Sequence, residues 1–331
     1  MRALVTGAGG FIGGGIAEAL VREGHRVTAF QRGDYPALST LGVAVVRGDV
    51  ADADAIARAA VGHDVVFHVA ALAGAWGEPS AFRRVNVQGT EAVIAACRRA
   101  GVPRLVYTSS PSVVFDGRDM AGVDESVPYP DHHDAPYPAT KAEAERAVLA
   151  ANGAALATVA LRPHLVWGPR DPHFLPRLVA RRRSGRLRRI GDGRNLVDGT
   201  YIDNAVAAHL LAAERLAPGA GCAGKAYFIA NGEPMPAWEL VDALLEAAGE
   251  PAVVGAVPAW LAYGAGAVLE GLHGLLPLPG EPPMTRWVAR ELATTHWFDL
   301  GAARRELGYA PAVSTHEGLA RLRAWVSAQR S

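Results

Sequence analysis

The stretch Arg2-Ala3-Leu4-Val5-Thr6-Gly7-Ala8-Gly9-Gly10-Phe11-Ile12-Gly13 decides the fold. Arg2 to Thr6 is a short apolar run that reads as a strand, and three spaced glycines follow at once. Ile16-Ala17-Glu18-Ala19-Leu20-Val21 then continues with helical apolar spacing. A strand, a glycine turn and a helix N-terminus in that order make an anion-binding device. The free backbone N–H groups and the helix dipole both favour negative charge at the helix start. Gly7 permits the tight turn, Gly10 lets a phosphate approach the backbone, and Gly13 lets helix and strand pack closely. At the head of a βαβ unit this pattern predicts a dinucleotide site.

Working outward, strand-like runs alternate with helical ones. Val27–Phe30, Val43–Val46, Asp64–His68, Leu105–Thr108 and Thr158–Leu161 read as strands, with helical patterns such as Ala53–Ala60 and Val87–Ala100 between them. The rhythm predicts an α/β, Rossmann-type doubly wound parallel sheet with ligands at the carboxyl ends of its strands. After about Pro163 the rhythm loosens, although Ala205–Arg215, Ala226–Ala230 and Trp238–Ala248 still carry helix or strand signals. The expected organisation is a nucleotide-binding domain over 1–165, with contributions from about 198–230. A smaller C-terminal substrate-binding lobe is expected over 166–331.

Bulk properties narrow the function. Lys plus Arg and Asp plus Glu are 33 each, so no nucleic-acid partner is expected. The two cysteines, Cys97 and Cys222, are far apart and suit reduced thiols in a cytoplasmic setting. No signal peptide is expected, because the first strand begins at Arg2. Val257–Pro279 is apolar but interrupted by Glu270, His273 and several Gly and Pro, short of a membrane span. It remains a candidate for peripheral membrane association. His132 and His133 find no further ligands at metal-binding spacing, so no metal is expected.

Tyr137-Pro138-Ala139-Thr140-Lys141 is the second informative segment. On a helix starting near Pro138, Tyr137 and Lys141 share one face. An ammonium beside a phenol favours the phenolate, which would let Tyr137 exchange a proton near neutral pH. A surface helix pair is the plainer alternative. Thr108-Ser109-Ser110 places hydroxyls at the end of the fifth strand, where a carbonyl could be polarised.

Together Gly7, Gly10 and Gly13, the serines after the fifth strand and Tyr137/Lys141 resemble the extended short-chain dehydrogenase/reductases. The resemblance spans essentially the whole chain, including Arg162–Pro169 and Tyr201–Ala205. It implies that Tyr137 is the proton donor or acceptor. Lys141 would hold the nicotinamide ribose and lower the Tyr pKa, and Ser110 would be the catalytic hydroxyl, with Ser109 the other candidate. Phe11, Ile12, Ala70, Pro163 and Val166 would line the cofactor, and Asp49-Val50 would meet its adenine. Asn86 is either an N-cap of the following helix or, as the resemblance implies, a residue that orders the active site.

The end of the second strand bears on cofactor choice. An acidic residue there would bind a ribose diol, whereas this chain has Gln31-Arg32-Gly33. Arg32 suits a 2′-phosphate, so NADP(H) is favoured over NAD(H). The alternative leaves Arg32 solvated and gives the ribose to Asp34.

For the reaction, Ser109-Ser110-Pro111 lacks the acidic pair that the resemblance would require of a dehydratase. Val197 stands where nucleotide-sugar epimerases often carry an Arg, although Arg194 is nearby. A silent NADP-sensing protein fits poorly with a complete Ser, Tyr and Lys set. Segments including 32–38, 74–77, 107–113, 156–163 and 278–283 are similar to the 3β-hydroxysteroid dehydrogenase branch, and within it to reductases of long-chain olefin biosynthesis. They imply reduction of 2-alkyl-3-oxoalkanoic acids to 2-alkyl-3-hydroxyalkanoic acids. A 3β-hydroxysteroid (sterol) substrate is the alternative. His164, Arg170, His173 and Arg177 are candidates for the substrate carboxylate. Arg181-Arg182-Arg183 reads as a solvated helix face. The resemblance further implies a homodimer, and assembly with other olefin-pathway enzymes is a further expectation.

Overall fold

A computed structural model describes residues 1–276 and 278–330. Pro277, inside the apolar 257–279 stretch, lies outside the described residues. Seven parallel strands form the central sheet: β1 (Arg2–Thr6), β2 (Arg26–Gln31), β3 (Ala44–Arg47), β4 (Val65–His68), β5 (Arg104–Thr108), β6 (Ala157–Pro163) and β7 (Lys225–Ile229). Their order across the sheet is β7-β6-β5-β4-β1-β2-β3. The order reverses between β1 and β4, and a crevice opens at their carboxyl ends. Every residue of β4 and β6 is buried, as expected for strands covered by helices on both faces.

The main helices are α1 (Phe11–Arg22), α2 (Ala53–Ala60), α3 (Gly89–Ala100), α4 (Pro136–Ala150), α5 (Phe174–Arg183), α6 (Ile202–Arg215), α7 (Ala237–Ala247), α8 (Ala259–Leu275), α9 (Arg286–Ala293) and α10 (Thr315–Arg330). Asp52 caps α2 by accepting from Asp54 N and Ala55 N. Pro136 opens α4, two residues before the expected start, where its missing N–H costs nothing. Gly101 ends α3 in the left-handed conformation.

The C-terminal lobe differs from the expected division at 165. Met120–Val123, from the first half of the chain, pairs in parallel with His296–Phe298. Those residues join a small sheet with Leu196–Val197 and Met235–Pro236. β7 returns to the central sheet beside β6. The chain therefore crosses between the two layers several times.

The triple-arginine run is more than a solvated face. Arg182 donates to the carbonyls of Pro251 and Ala252, Arg183 pairs with Glu250 and Arg181 donates to the Pro283 carbonyl. It staples α5 to two loops. α8 leaves Trp260, Val268 and Leu275 exposed. Among the described residues no helix is long and apolar enough to cross a membrane.

Candidate active site

The loop from β1 to α1 forms the floor of the crevice. Gly7 has φ +71°, and a Cβ on it would sit 2.8 Å from the Ala70 backbone. A Cβ on Gly13 would lie 2.3 Å from the Gly7 carbonyl oxygen. Side chains at either place would fill the space that brings the helix end up to the strand. α1 has no acidic residue in its first turn and no side-chain cap at Gly10. Its N-terminal N–H groups are thus left for an outside anion.

A cleft of about 890 Å³ runs from this loop across the strand ends. Gly7, Gly10, Phe11, Ile12, Gly13, Arg32, Asp49, Val50, Ala70, Ser110, Tyr137, Lys141, Pro163 and Val166 all line it. One crevice therefore gathers the residues expected to hold the cofactor and to act in catalysis, while Asp34, Asn86, His164, Arg170 and Arg177 do not line it. Two buried polar atoms at its wall, Gln31 Oε1 and Ser109 Oγ, have no partner in the protein. An extended cleft with a glycine floor and orphaned polar atoms fits a dinucleotide.

α4 positions the polar centre. Tyr137, Lys141 and Glu145 are spaced four apart, so they project from one face. Glu145 accepts from Arg162 Nε at 3.0 Å and Nη2 at 2.6 Å, and from the Tyr129 hydroxyl at 2.6 Å. Arg162 lies on β6 beside Pro163, so this buried pair clamps α4 to the strand that carries the cleft wall. Leu165, just beyond, has φ +41°, a left-handed conformation for a side-chain-bearing residue, and it also lines the cleft.

Lys141 Nζ donates to the Thr108 carbonyl at 2.6 Å and lies 4.1 Å from the centre of the Tyr107 ring. Burial pushes its pKa down to about 7, against the upward pull of Glu145. Tyr137 does not follow the expectation that Lys141 lowers it. Burial raises the phenol, the Ser110 hydrogen bond lowers it, and the charge of Glu291 raises it. In the protein by itself the Lys141 ammonium is turned to a backbone carbonyl.

Ser110, half-buried, accepts from Ser112 N at 3.3 Å and shares a 2.9 Å hydrogen bond with the Ser112 hydroxyl. When Ser112 donates, the Ser110 hydrogen is left for the Tyr137 oxygen or for a ligand oxygen in its place. Ser109 also lines the cleft, but it is buried and its backbone N–H donates to the Leu161 carbonyl at 2.6 Å.

Asn86 is not an N-cap. It sits inside a π-helical turn, Arg83–Gln88, that precedes α3. Its Oδ1 accepts from Leu72 N at 2.7 Å, and its Nδ2 donates to the Leu72 carbonyl and the Thr140 hydroxyl, both at 3.0 Å. It ties the loop after β4 to the Tyr137–Lys141 helix. Asp49 accepts from Ala51 N and from Arg84 at 2.8 Å, and the neighbouring Arg32 charge also acts on it.

Of the carboxylate candidates, His173 lines the cleft. Arg170 is paired with Glu18, Arg177 reaches Glu281 at 3.4 Å, and half-buried His164 bonds the Asp198 carbonyl. Burial holds His164 down to about 4. Arg194 is exposed and outside the cleft. Sequence reasoning missed Phe174 in the cleft wall and Glu291 near Tyr137. It counted Trp287 only as lobe surface, yet that ring lies 6.3 Å from the Tyr137 ring. No local signal marks them, since α5, which carries Phe174, and α9, which carries Trp287 and Glu291, are far from α4 in sequence.

The 3-beta hydroxysteroid dehydrogenase/isomerase family matches residues 4–253. The 2-alkyl-3-oxoalkanoate reductase of Stenotrophomonas maltophilia is 56% identical over 98% of this chain and 99% of that protein. The enzyme of the same name from Shewanella oneidensis is 47% identical over 97% of this chain and 85% of its own. Among solved structures, MoeE5 in complex with UDP-glucose and NAD superposes with a TM-score of 0.76 at 28% identity, covering 100% of both chains. The chain belongs to the 3-beta hydroxysteroid dehydrogenase/isomerase family and is an NAD(P)-dependent oxidoreductase with the extended short-chain dehydrogenase/reductase fold.

Proposed function

We propose that the protein reduces 2-alkyl-3-oxoalkanoic acids to 2-alkyl-3-hydroxyalkanoic acids with NADPH. The observation that carries this is the near-full-length similarity to two reductases of that name, together with the gathering of Ser110, Tyr137 and Lys141 in one cleft.

A bound nicotinamide would supply the hydride for the C3 ketone. Tyr137 gives its proton to the forming alkoxide, and Ser110 donates a hydrogen bond to the same oxygen. Lys141, held by Thr108, sits within the buried wall and supplies the positive charge that steadies the Tyr137 anion. Pro163, Leu165 and Val166 keep water from the reacting face, which limits spontaneous loss of CO₂ from a 3-oxo acid.

NADPH over NADH rests on two details. Asp34, the carboxylate nearest the end of β2, is engaged by Arg47 at 2.6 Å. Arg32 lines the cleft instead, as a 2′-phosphate partner would.

The sterol reading draws on the family's name. The test is oxidation of a racemic 2-alkyl-3-hydroxy acid, run beside a 3β-hydroxysteroid with NADP⁺ and with NAD⁺. Turnover of the branched acid with NADP⁺ supports the proposal, and turnover of the steroid alone overturns it. We also propose a homodimer through α3 and α4, in a cytoplasmic setting, which sedimentation of the purified protein tests. Assembly with other olefin-pathway enzymes stays a proposal for co-purification, as does membrane-surface association through α8 for vesicle flotation.

A further inference from the structure

A second cavity, of about 170 Å³, lies behind the wall of the cofactor cleft. Leu178, Leu187, Trp238, Val241, Met284 and Leu292 give it an apolar lining. Phe174 lines both the cavity and the cleft. The loop after β4 does the same through two neighbours, with Ala73 on the cleft and Ala75 on the cavity. Charge is confined to its border, where Arg177 and Glu281 pair with each other and Arg181 donates to the Pro283 carbonyl. Thr285, a polar residue on this wall, is occupied in capping α9 through Val288 N.

An apolar cavity of roughly 150 Å³ stays dry and accepts benzene. By that measure this one holds about six carbons. Its place one side chain away from the cleft gives it an occupant.

We propose that this cavity seats one hydrocarbon arm of the substrate, which passes Phe174 and fills the space with about six carbons. The inference rests on the branched 3-oxo acid reading above. It adds that the protein measures one arm and leaves the other unmeasured.

Two series of 2-alkyl-3-hydroxy acids test it, one lengthening the C2 arm and one the C3 arm, each with the other arm short. In one series kcat/KM rises about 4-fold per methylene up to roughly six carbons and then levels off. Val241→Phe, which fills the cavity, lowers the long-to-short ratio at least 10-fold, and Leu178→Ala, which enlarges it, moves the plateau to longer chains. Thermal unfolding confirms that both variants are folded. Two flat series, or unchanged profiles in both variants, overturn the proposal. If no acid is oxidised, the reading of the reaction fails, and binding still decides the cavity. Fluorescence quenching that is lost in Trp238→Phe then reports affinity across the same acids. Affinity that climbs over about six carbons supports the cavity, and length-independent affinity overturns it.

Discussion

Glu145→Gln removes one charge from a pair whose side chains are 3% and 0% exposed. The guanidinium of Arg162 cannot lose its proton. Its Nη1 already has no partner. The variant leaves that cation buried against an amide, and turns at least one of the four accepting contacts into a clash of donors. Breaking a buried pair from one side costs about 3–5 kcal/mol. For a chain of this size that lowers the unfolding midpoint by about 4–7 °C. The same change reaches the active site. Burial holds Lys141 down to about 7 while Glu145 pulls it up. Without that pull the Lys141 pKa falls further, and the ammonium persists only at lower pH. The high-pH limb of kcat/KM for ketone reduction therefore moves to lower pH. Differential scanning fluorimetry and a pH–rate profile read both effects. The double variant Glu145→Leu/Arg162→Met, with no charge left buried, regains most of the lost stability while the limb stays displaced. An unchanged midpoint together with an unmoved limb refutes the reasoning.

Lys141→Met abolishes turnover and changes the pH dependence of stability. The unfolded lysine keeps its proton to about 10.4 while the folded one releases it near 7, so wild-type stability rises between those values and the variant lacks the rise; unfolding midpoints across pH 7–10 check it. Four histidines, the buried His68, His209 and His296 and the half-buried His164, are held by desolvation down to about 3 or 4. Unfolding lets each take a proton below about pH 6.5, so stability falls with acid at a slope approaching ~5 kcal/mol per pH unit near pH 5, measurable by denaturant titration. Arg32→Ala raises KM for NADPH about 10- to 100-fold and leaves NADH nearly unchanged, from the loss of a charge-assisted bond. Asn86→Ala severs three hydrogen bonds at once. It should lower stability by about 2–4 kcal/mol, and kcat with it, because the Leu72 amide and Thr140 lose their shared partner.

The central sheet was legible because strands buried on both faces print apolar runs, as Val65–Phe67 and Val159–Leu161 do. The cleft residues were legible because glycine, Tyr and Lys must stand at fixed spacing for local geometric reasons. What could not be read depends on contacts between distant segments. Asn86 carries no sign in its own neighbourhood that it will meet Leu72 and Thr140. Met120–Val123 is too short and glycine-bearing to announce its pairing with His296–Phe298. The Tyr137 pKa went the other way because burial, set by tertiary packing, outweighs a neighbour inferred from helix spacing.

The most direct test of the central claim follows one atom. The protein is given NADPH carrying deuterium at the transferred position and a freshly made 2-alkyl-3-oxo acid, and the product is read by mass spectrometry and NMR. The account predicts one deuterium at C3 of the 2-alkyl-3-hydroxy acid, and no label when Tyr137→Phe replaces the wild type although that variant still binds NADPH. A product without label at C3, or undiminished labelling by Tyr137→Phe, would contradict it.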